Sequence, residues 1–278
     1  MQSFIGKTAF VTGGASGIGL ALGKAFVAAG MNVMLADVDD AALKQAVAGL
    51  RRDAPQTRGV ICDVTLEKSV EAAARATIEA FGNVHIVCNN AGVAGGSGIA
   101  PISLDTWRWV LDVNLMGTLH GVAAFLPHMR SHGEGGHIVN TASMAGFQTR
   151  LGLSPYAASK YAVVAISEGL AQELADSNIG VTVLCPSFVR TGISASSRSR
   201  SERYGSAAGP DPGSAAATLS AHIAKLVDAG TDPMVIANQT IDAIRANQLY
   251  LFTHPEARSE IDERLAAVTA ALDAAGRG

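Results

Sequence analysis

The sequence is poor in several things, and each shortage closes off a class of protein. It has three cysteines in 278 residues. Cys62, Cys88 and Cys185 lie far apart, each in an apolar run, without metal-site spacing or a disulfide framework. They read as reduced core thiols, and no metal site is expected. Charged residues make up only 16% of the chain, with a net charge of −3. No long basic run occurs, which argues against nucleic acid as a partner. No apolar run reaches the ~18 residues that a membrane span needs. The opening MQSFIGKTAFVTGG lacks the basic start and long apolar stretch of a signal peptide. A cytoplasmic chain without a membrane partner is therefore expected. Aromatic residues are 5% against 48% hydrophobic residues in all, so the core should be built mainly of Ala, Val, Leu and Ile.

What is present is an alternation of short apolar runs and longer amphipathic ones. Runs at 7–13, 32–37, 57–64, 84–90, 136–143, 180–187 and 248–253 read as strands. Helical patterns occupy 17–29, about 40–52, 67–81, 103–131 and 154–177, with Asp39 or Asp40 capping the second. The strands are continuously apolar, as expected where both faces are buried. The fold class is therefore α/β: a doubly wound, mostly parallel, seven-stranded sheet with helices on both faces, forming one domain over 1–278. Residues 190–217, RTGISASSRSRSERYGSAAGPDPGSAAA, break the rhythm. They follow the C-terminal end of a strand, the edge where ligands bind in open α/β sheets. A mobile substrate lid over about 190–230 is expected, with Arg198, Arg200 and Arg203 in solvent.

The turn VTGGASGIG joins the first strand to the first helix. There Gly13 permits a tight turn, Gly17 lets backbone approach a pyrophosphate, and Gly19 allows close helix packing. A helix N-terminus then offers N–H donors to phosphates. The spacing is Gly-x-x-x-Gly-x-Gly, which a plain glycine turn or a methyltransferase-type loop also matches. Asp37 closes the second strand 18 residues after Gly19. A carboxylate there accepts hydrogen bonds from ribose hydroxyls and repels a 2′-phosphate. Neither Ser16 nor Val38 supplies the positive charge a 2′-phosphate would want, so NAD is favoured over NADP. Asp63 ends the third strand as an adenine contact or a turn residue. NNAG (89–92) places small residues beside a cofactor, or makes an ordinary strand-to-loop turn. In SPYAASKYAVV, Tyr156 and Lys160 are one helical turn apart, about 5–6 Å at Cβ, a spacing that by itself has no function.

With the glycine loop, NNAG, NLMG, a serine after a strand and YAASK in this order, the chain resembles the short-chain dehydrogenase/reductase family over about residues 5–193. The resemblance implies a catalytic tetrad of Asn114, Ser143, Tyr156 and Lys160. It implies that Thr12, Gly13, Ser16, Gly17, Ile18 and Gly19 hold the pyrophosphate and Asp37 the adenosine ribose. Asp63 and Val64 would hold the adenine, and Asn90, Ala91 and Gly92 the centre of the cofactor. Pro186, Val189 and Thr191 would lie at the nicotinamide end, with Tyr156 and Lys160 also in contact. Homotetramers or homodimers are common in the family, tetramers through two long helices, here near 103–131 and 154–177. One departure is Ser187, where the family has glycine after Pro186.

Removing a hydroxyl proton near neutral pH asks a tyrosine, ordinarily near 10, to ionise more readily, at ~1.4 kcal/mol per unit. Lys160 supplies positive charge for this, Ser143 a hydrogen bond to the substrate oxygen, and Asn114 a place for a relaying water. All seven histidines read as structural or solvated, His222 being a weak lid candidate, and Trp107 and Trp109 as packing residues. The expected activity is NAD-dependent interconversion of a secondary alcohol and a ketone. Residues 93–98, Ser143 to Arg150, Ser187 and the lid, with Leu219, Ile223 and Leu226, would form a hydrophobic site for an aryl or steroid-like compound. Alternatives are an NAD-binding sensor or scaffold, a dehydratase or epimerase of the same fold, and a hydroxyacyl thioester or polyol substrate.

Overall fold

Alternate residues of the inner strands enter opposite cores, and this places the sheet in the middle of three layers. In β1 (Thr8–Thr12), Ala9 and Val11 join one core while Phe10 joins the other. In β2 (Asn32–Asp37), Val33 and Leu35 face the first core and Met34 and Ala36 the second. The remaining strands are β3 (Thr57–Ile61), β4 (Ile86–Asn89), β5 (Gly136–Thr141), β6 (Ile179–Cys185) and β7 (Tyr250–Phe252). All pair in parallel, in the order β3-β2-β1-β4-β5-β6-β7. The structure, a computed structural model, describes residues 3–51, 56–95, 103–205 and 213–276.

The helices are α1 (Gly17–Ala28), α2 (Asp40–Arg51), α3 (Glu67–Phe81), α4 (Leu104–Leu111), α5 (Gly117–His132), α6 (Ser154–Glu173), α7 (Ala215–Asp228), α8 (Pro233–Ala246) and α9 (Arg258–Ala275). The first core lies under α1, α2 and α8, the second under α3 to α6. Caps fix several starts: the Asp39 carboxylate accepts from Ala42 N (3.0 Å) and that of Asp232 from Met234 N (2.8 Å), with Pro233 at the first turn of α8. The chain runs from β1 outward to β3, then returns to β4 on the other side of β1. The resulting switch point leaves a crevice beyond the carboxyl ends of β1 and β4.

Three expectations change. The third strand ends at Ile61, because the Asp63 carboxylate accepts from Thr65 N (3.0 Å) and turns the chain there. Arg52, the expected end of the second helix, lies outside the described residues. The helical run at 103–131 is α4 and α5 joined by a π-helical turn, Asp112–Met116, with Asn114 at its middle. This joined run, Leu104–His132, is long enough to cross a membrane and holds an 18-residue window apolar enough to do so, with mean hydropathy 1.3, where no single uninterrupted run reaches that length. It packs instead against α3, α6 and the sheet.

The opposite edge of the sheet holds buried imidazoles. His137 is fully buried, its Nε2 2.8 Å from Thr182 Oγ1, and burial pushes it down to about 3. Burial also lowers His85, whose Nδ1 accepts from Thr8 N (3.2 Å) and so must be unprotonated. Free imidazole titrates near ~6.5. From there down to about 3, the unfolded chain binds a proton at His137 that the folded chain does not. Stability therefore falls as pH falls through this window. Urea unfolding at about pH 7 and about pH 5 should show a lower midpoint in acid, by up to ~1.4 kcal/mol per pH unit per histidine. The slope should shrink in His137→Gln.

Candidate active site

The turn after β1 and the turn after β4 touch, and this contact forms the floor of the crevice. Gly13 and Gly17 have φ of +63° and +52°, a region that side chains disfavour. A Cβ at Gly19 would stand 2.1 Å from Gly13 O and 2.7 Å from Asn90 Nδ2. No side chain fits there. Ser16 stands at the N-cap of α1 without a side-chain cap bond, so the first-turn N–H groups take no partner from it. That is the donor set an anion needs.

Thr12 sits beneath this floor, not in it. Its hydroxyl accepts from Asn90 N (2.9 Å) and Ala91 N (3.0 Å) and donates to Cys88 O (3.3 Å). Asn90 Nδ2 in turn donates to Thr12 O (3.0 Å). Thr12 and Gly19, expected to hold pyrophosphate, are buried and do not line the crevice; they hold its two turns together. Gly13, Ser16, Gly17, Ile18, Asp37, Asp63, Val64, Asn90, Ala91 and Gly92 do line it, as do Pro186, Val189 and Thr191. Both oxygens of Asp37 accept backbone bonds, from Ala15 N (3.0 Å) and Asp39 N (3.1 Å), which aims the carboxylate at the end of β2. The crevice measures about 890 Å³. With its glycine-rich turn, open helix N-terminus and carboxylate at the end of β2, it fits a dinucleotide.

Ser143, Tyr156 and Lys160 line the same crevice. Ser143 follows β5 and caps a short 3₁₀ turn, Met144–Gly146, accepting from Ala145 N (3.1 Å). Tyr156 and Lys160 share a face of α6, with Lys160 Nζ 5.6 Å from the Tyr156 ring centre. Burial raises Tyr156, and a hydrogen bond with Ser143 works against that. Lys160 is only 3% exposed and donates to Thr141 O (2.7 Å). Burial pushes it down to about 8.

Asn114 takes a different place from the one expected. Its Oδ1 accepts from Val93 N (2.8 Å), and Nδ2 donates to Val93 O (3.1 Å) and Ser159 Oγ (3.0 Å). Ser159 continues the chain of bonds to Tyr156 O (2.7 Å). With both amide hydrogens spent, the Asn114 side chain braces the loop after β4 against α6. The Asn114 carbonyl accepts from Thr118 Oγ1 (2.9 Å), so a water at this residue has one remaining lone pair of that carbonyl or of Oδ1 to use. Ser159 was not legible as part of the site, since a serine inside a helix carries no signal.

The segment after β6 is more ordered than its composition implies. It forms two 3₁₀ turns, Gly192–Ser199 and Glu202–Tyr204. Ser196 Oγ accepts from Ala94 N (3.1 Å). Arg200 and Arg203, expected in solvent, are both engaged. Arg200 lies over the Trp109 ring (5.3 Å) and donates to Thr106 Oγ1 (3.0 Å). Arg203 contacts Thr65 Oγ1, the Asp63 carboxylate (3.8 Å) and Tyr204 OH (2.8 Å). Tyr204 is buried and donates to Asp112 (2.8 Å). Of the apolar lid residues expected in the site, Ile223 lines it and Leu219 and Leu226 do not; Val227 does. Residues 96–98 and 206–212 lie outside the described residues. Ser187 stands where glycine was expected, and among the described residues only Asn247 combines a side chain with positive φ. Ser187 therefore occupies its turn without strain, its N–H donating to His254 Nδ1 (3.2 Å).

Residues 7–202 match the short chain dehydrogenase family. A CLA biosynthesis dehydrogenase/reductase of Lactiplantibacillus plantarum is 31% identical, over 95% of this chain and 94% of its own. A 3beta-hydroxysteroid dehydrogenase of Eggerthella lenta is 35% identical, over 71% of this chain and 76% of its own. Among solved structures, a short chain dehydrogenase/reductase from Burkholderia phymatum in complex with NAD superposes with a TM-score of 0.94. It is 37% identical and covers 97% of this chain and 96% of its own. With its doubly wound parallel sheet and this crevice, the chain belongs to the short-chain dehydrogenase/reductase family of oxidoreductases.

Proposed function

We propose that the chain is an NAD-dependent dehydrogenase interconverting a neutral, hydrophobic secondary alcohol and its ketone, with Tyr156 as the acid/base. One observation carries this reading: Ser143, Tyr156 and a buried Lys160 stand on the wall of the same crevice whose floor is the glycine turn. NAD, when bound, takes a hydride from the alcohol carbon or returns one to the ketone. The chain's residues handle everything else. Tyr156 accepts the alcohol's proton as a phenolate and returns it as a phenol. An ordinary tyrosine is already a phenol at neutral pH and burial raises Tyr156 further, so its ionisation calls on the Ser143 hydrogen bond and on the Lys160 charge beside it. Ser143 Oγ hydrogen-bonds the substrate oxygen where charge develops. Lys160 has N–H donors beyond the one given to Thr141 O, and these suit ribose hydroxyls. Gly13, Ser16, Gly17 and Ile18 cradle the pyrophosphate, Asp37 the adenosine ribose, and Asp63 with Val64 the adenine. Asn114 positions the loop after β4 and, through Ser159, the turn of α6 that carries Tyr156.

The substrate side supports a hydrophobic compound. Val93, Met144, Leu153, Phe188, Ile223 and Val227 line it. The arginine there, Arg150, is held by both oxygens of Glu260 at 2.8 Å, which cancels its pull on an anion.

Absorbance of NADH, followed across aryl, steroid, polyol and hydroxyacyl alcohols with NAD⁺ and with NADP⁺, tests the reading. NAD-dependent turnover of an aryl or steroid alcohol is the expected result, and NADH binding without turnover of any class would sink it. Tyr156→Phe should lower kcat by about 10²–10⁴-fold while leaving NADH affinity within about twofold. In the wild type, oxidation should quicken as pH rises through neutrality, because the phenolate is the base. Ketone reduction, which consumes the phenol, should hold level over the same range and slow only where the phenol itself ionises. Asp37→Asn removes the charge and keeps one of the two oxygens that accept from Ala15 N and Asp39 N. It should cut the ratio of kcat/KM for NAD over NADP by about tenfold or more, as expected for relief of like-charge contact. An unaltered ratio would take Asp37 out of the ribose site.

A further inference from the structure

The segment 192–205 leaves the end of β6 and reaches the turn after β3. In the sheet, β5, β4, β1 and β2 lie between those two strands. The segment therefore crosses the whole carboxyl edge along which the crevice runs, not its substrate end alone. At the β6 end Thr191 packs on Gly17, where an added Cβ would meet its Cγ2 at 3.0 Å, and Ser196 Oγ holds Ala94 N. In the middle, Arg200 stacks on buried Trp109 and Tyr204 is buried against Asp112. At the β3 end, Arg203 contacts Thr65 and the Asp63 carboxylate (3.8 Å) while its guanidinium lies 4.7 Å from the Tyr204 ring centre. Asp63, Thr65, Arg203 and Tyr204 line one stretch of the crevice wall together with Asp37 and Val64.

We propose that Arg203 is a cofactor-retaining residue: its grip on Asp63 and Thr65 closes the adenine end of the crevice, so bound dinucleotide leaves only after this end of the segment lets go. This rests on the dinucleotide reading above. Two features separate Arg203 from an incidental surface ion pair. The guanidinium is fixed from behind by Tyr204, whose ring is buried and whose hydroxyl is anchored to the π-helical turn through Asp112. Its partners come from sequence 138 residues away, on the turn that carries the adenine-side carboxylate. The tie is electrostatic and partly exposed, so salt should loosen it.

Stopped-flow displacement of NADH from the full-length protein measures the off-rate directly. In R203A the off-rate should rise about fivefold, the scale of a partly exposed ion pair. Arg203→Lys, which keeps the charge without the fork, should fall between the two. The wild-type off-rate should climb more steeply with ionic strength than that of R203A, which keeps only the salt dependence of the phosphate contacts, a difference that a merely structural role would not produce. An R203A off-rate equal to wild type overturns the proposal. Should R203A not fold, a wild-type off-rate indifferent to salt overturns it as well. A wild-type protein that does not bind NADH at all defeats the dinucleotide reading itself, a result distinct from either.

Discussion

The architecture of the site depends on one close approach, that of the turn after β1 to the turn after β4. Gly19 lies so near Gly13 O that a single added carbon would overlap it, and Asn90 closes the contact from the other side. The Thr12 hydroxyl then satisfies two N–H groups of the second turn at once, Asn90 N and Ala91 N. A floor made in this way consists of backbone. Backbone floors keep their N–H groups available at the surface, whereas side-chain floors cover them. The same contact fixes where β4 delivers the loop carrying Val93, which Asn114 grips and links through Ser159 to α6. The glycine turn and the Tyr156 helix are thus parts of one connected framework, though they lie far apart in sequence.

Lys160 is the energetic counterpart of that framework. A nearly inaccessible ammonium is costly to keep charged, and burial brings it down to about 8. The same burial makes the Tyr156 phenolate costly. Each penalty is for a lone charge in a poorly polar place. If both groups ionise, each supplies the counter-charge the other lacks, and the low dielectric that penalised them singly strengthens their attraction. A tyrosine in open water would gain little from a lysine 5.6 Å from its ring, because water screens such a pair. Depth, not only the four-residue spacing, gives the pair its chemistry.

Most of the frame was legible in the sequence because it rests on local signals. Continuous apolar strands, capped helices and a glycine turn each declare themselves within a few residues, and seven strands appear where the runs predict them. Legibility fails where a residue's role depends on what arrives from far along the chain. Thr12 belongs to the glycine motif, yet only the position of Asn90 decides that its hydroxyl points down into the fold. Asn114 reads as a polar residue in a helix, and nothing near it announces Val93 and Ser159 as partners. The serine- and arginine-rich segment after β6 looks solvated because its apolar anchors are few. Trp109 and Asp112, which order it, sit about ninety residues earlier. The apolar helix Leu104–His132 shows the reverse error, since its hydropathy sums across a π-helical turn that no run-based reading detects.

The same distinction bears on what the crevice selects. Arg150, Arg198, Arg200 and Arg203 all line it, and by count they would make a strongly cationic cavity. Three of the four have partners that say otherwise, and Arg198 is exposed. Glu260, from α9, takes Arg150 with both oxygens; Trp109 and Thr106 take Arg200; Asp63 and Thr65 take Arg203. Two of these partners are carboxylates, so the charges of Arg150 and Arg203 are largely offset where they stand. Stacking on Trp109 leaves the Arg200 charge in place but fixes its direction, toward the segment and away from free rotation into the cavity. Charge counted along the sequence is therefore a poor guide to charge felt in the site. On the function proposed above, the apolar lining around Ser143 and Tyr156 would favour a neutral molecule whose oxygen these two residues would hold.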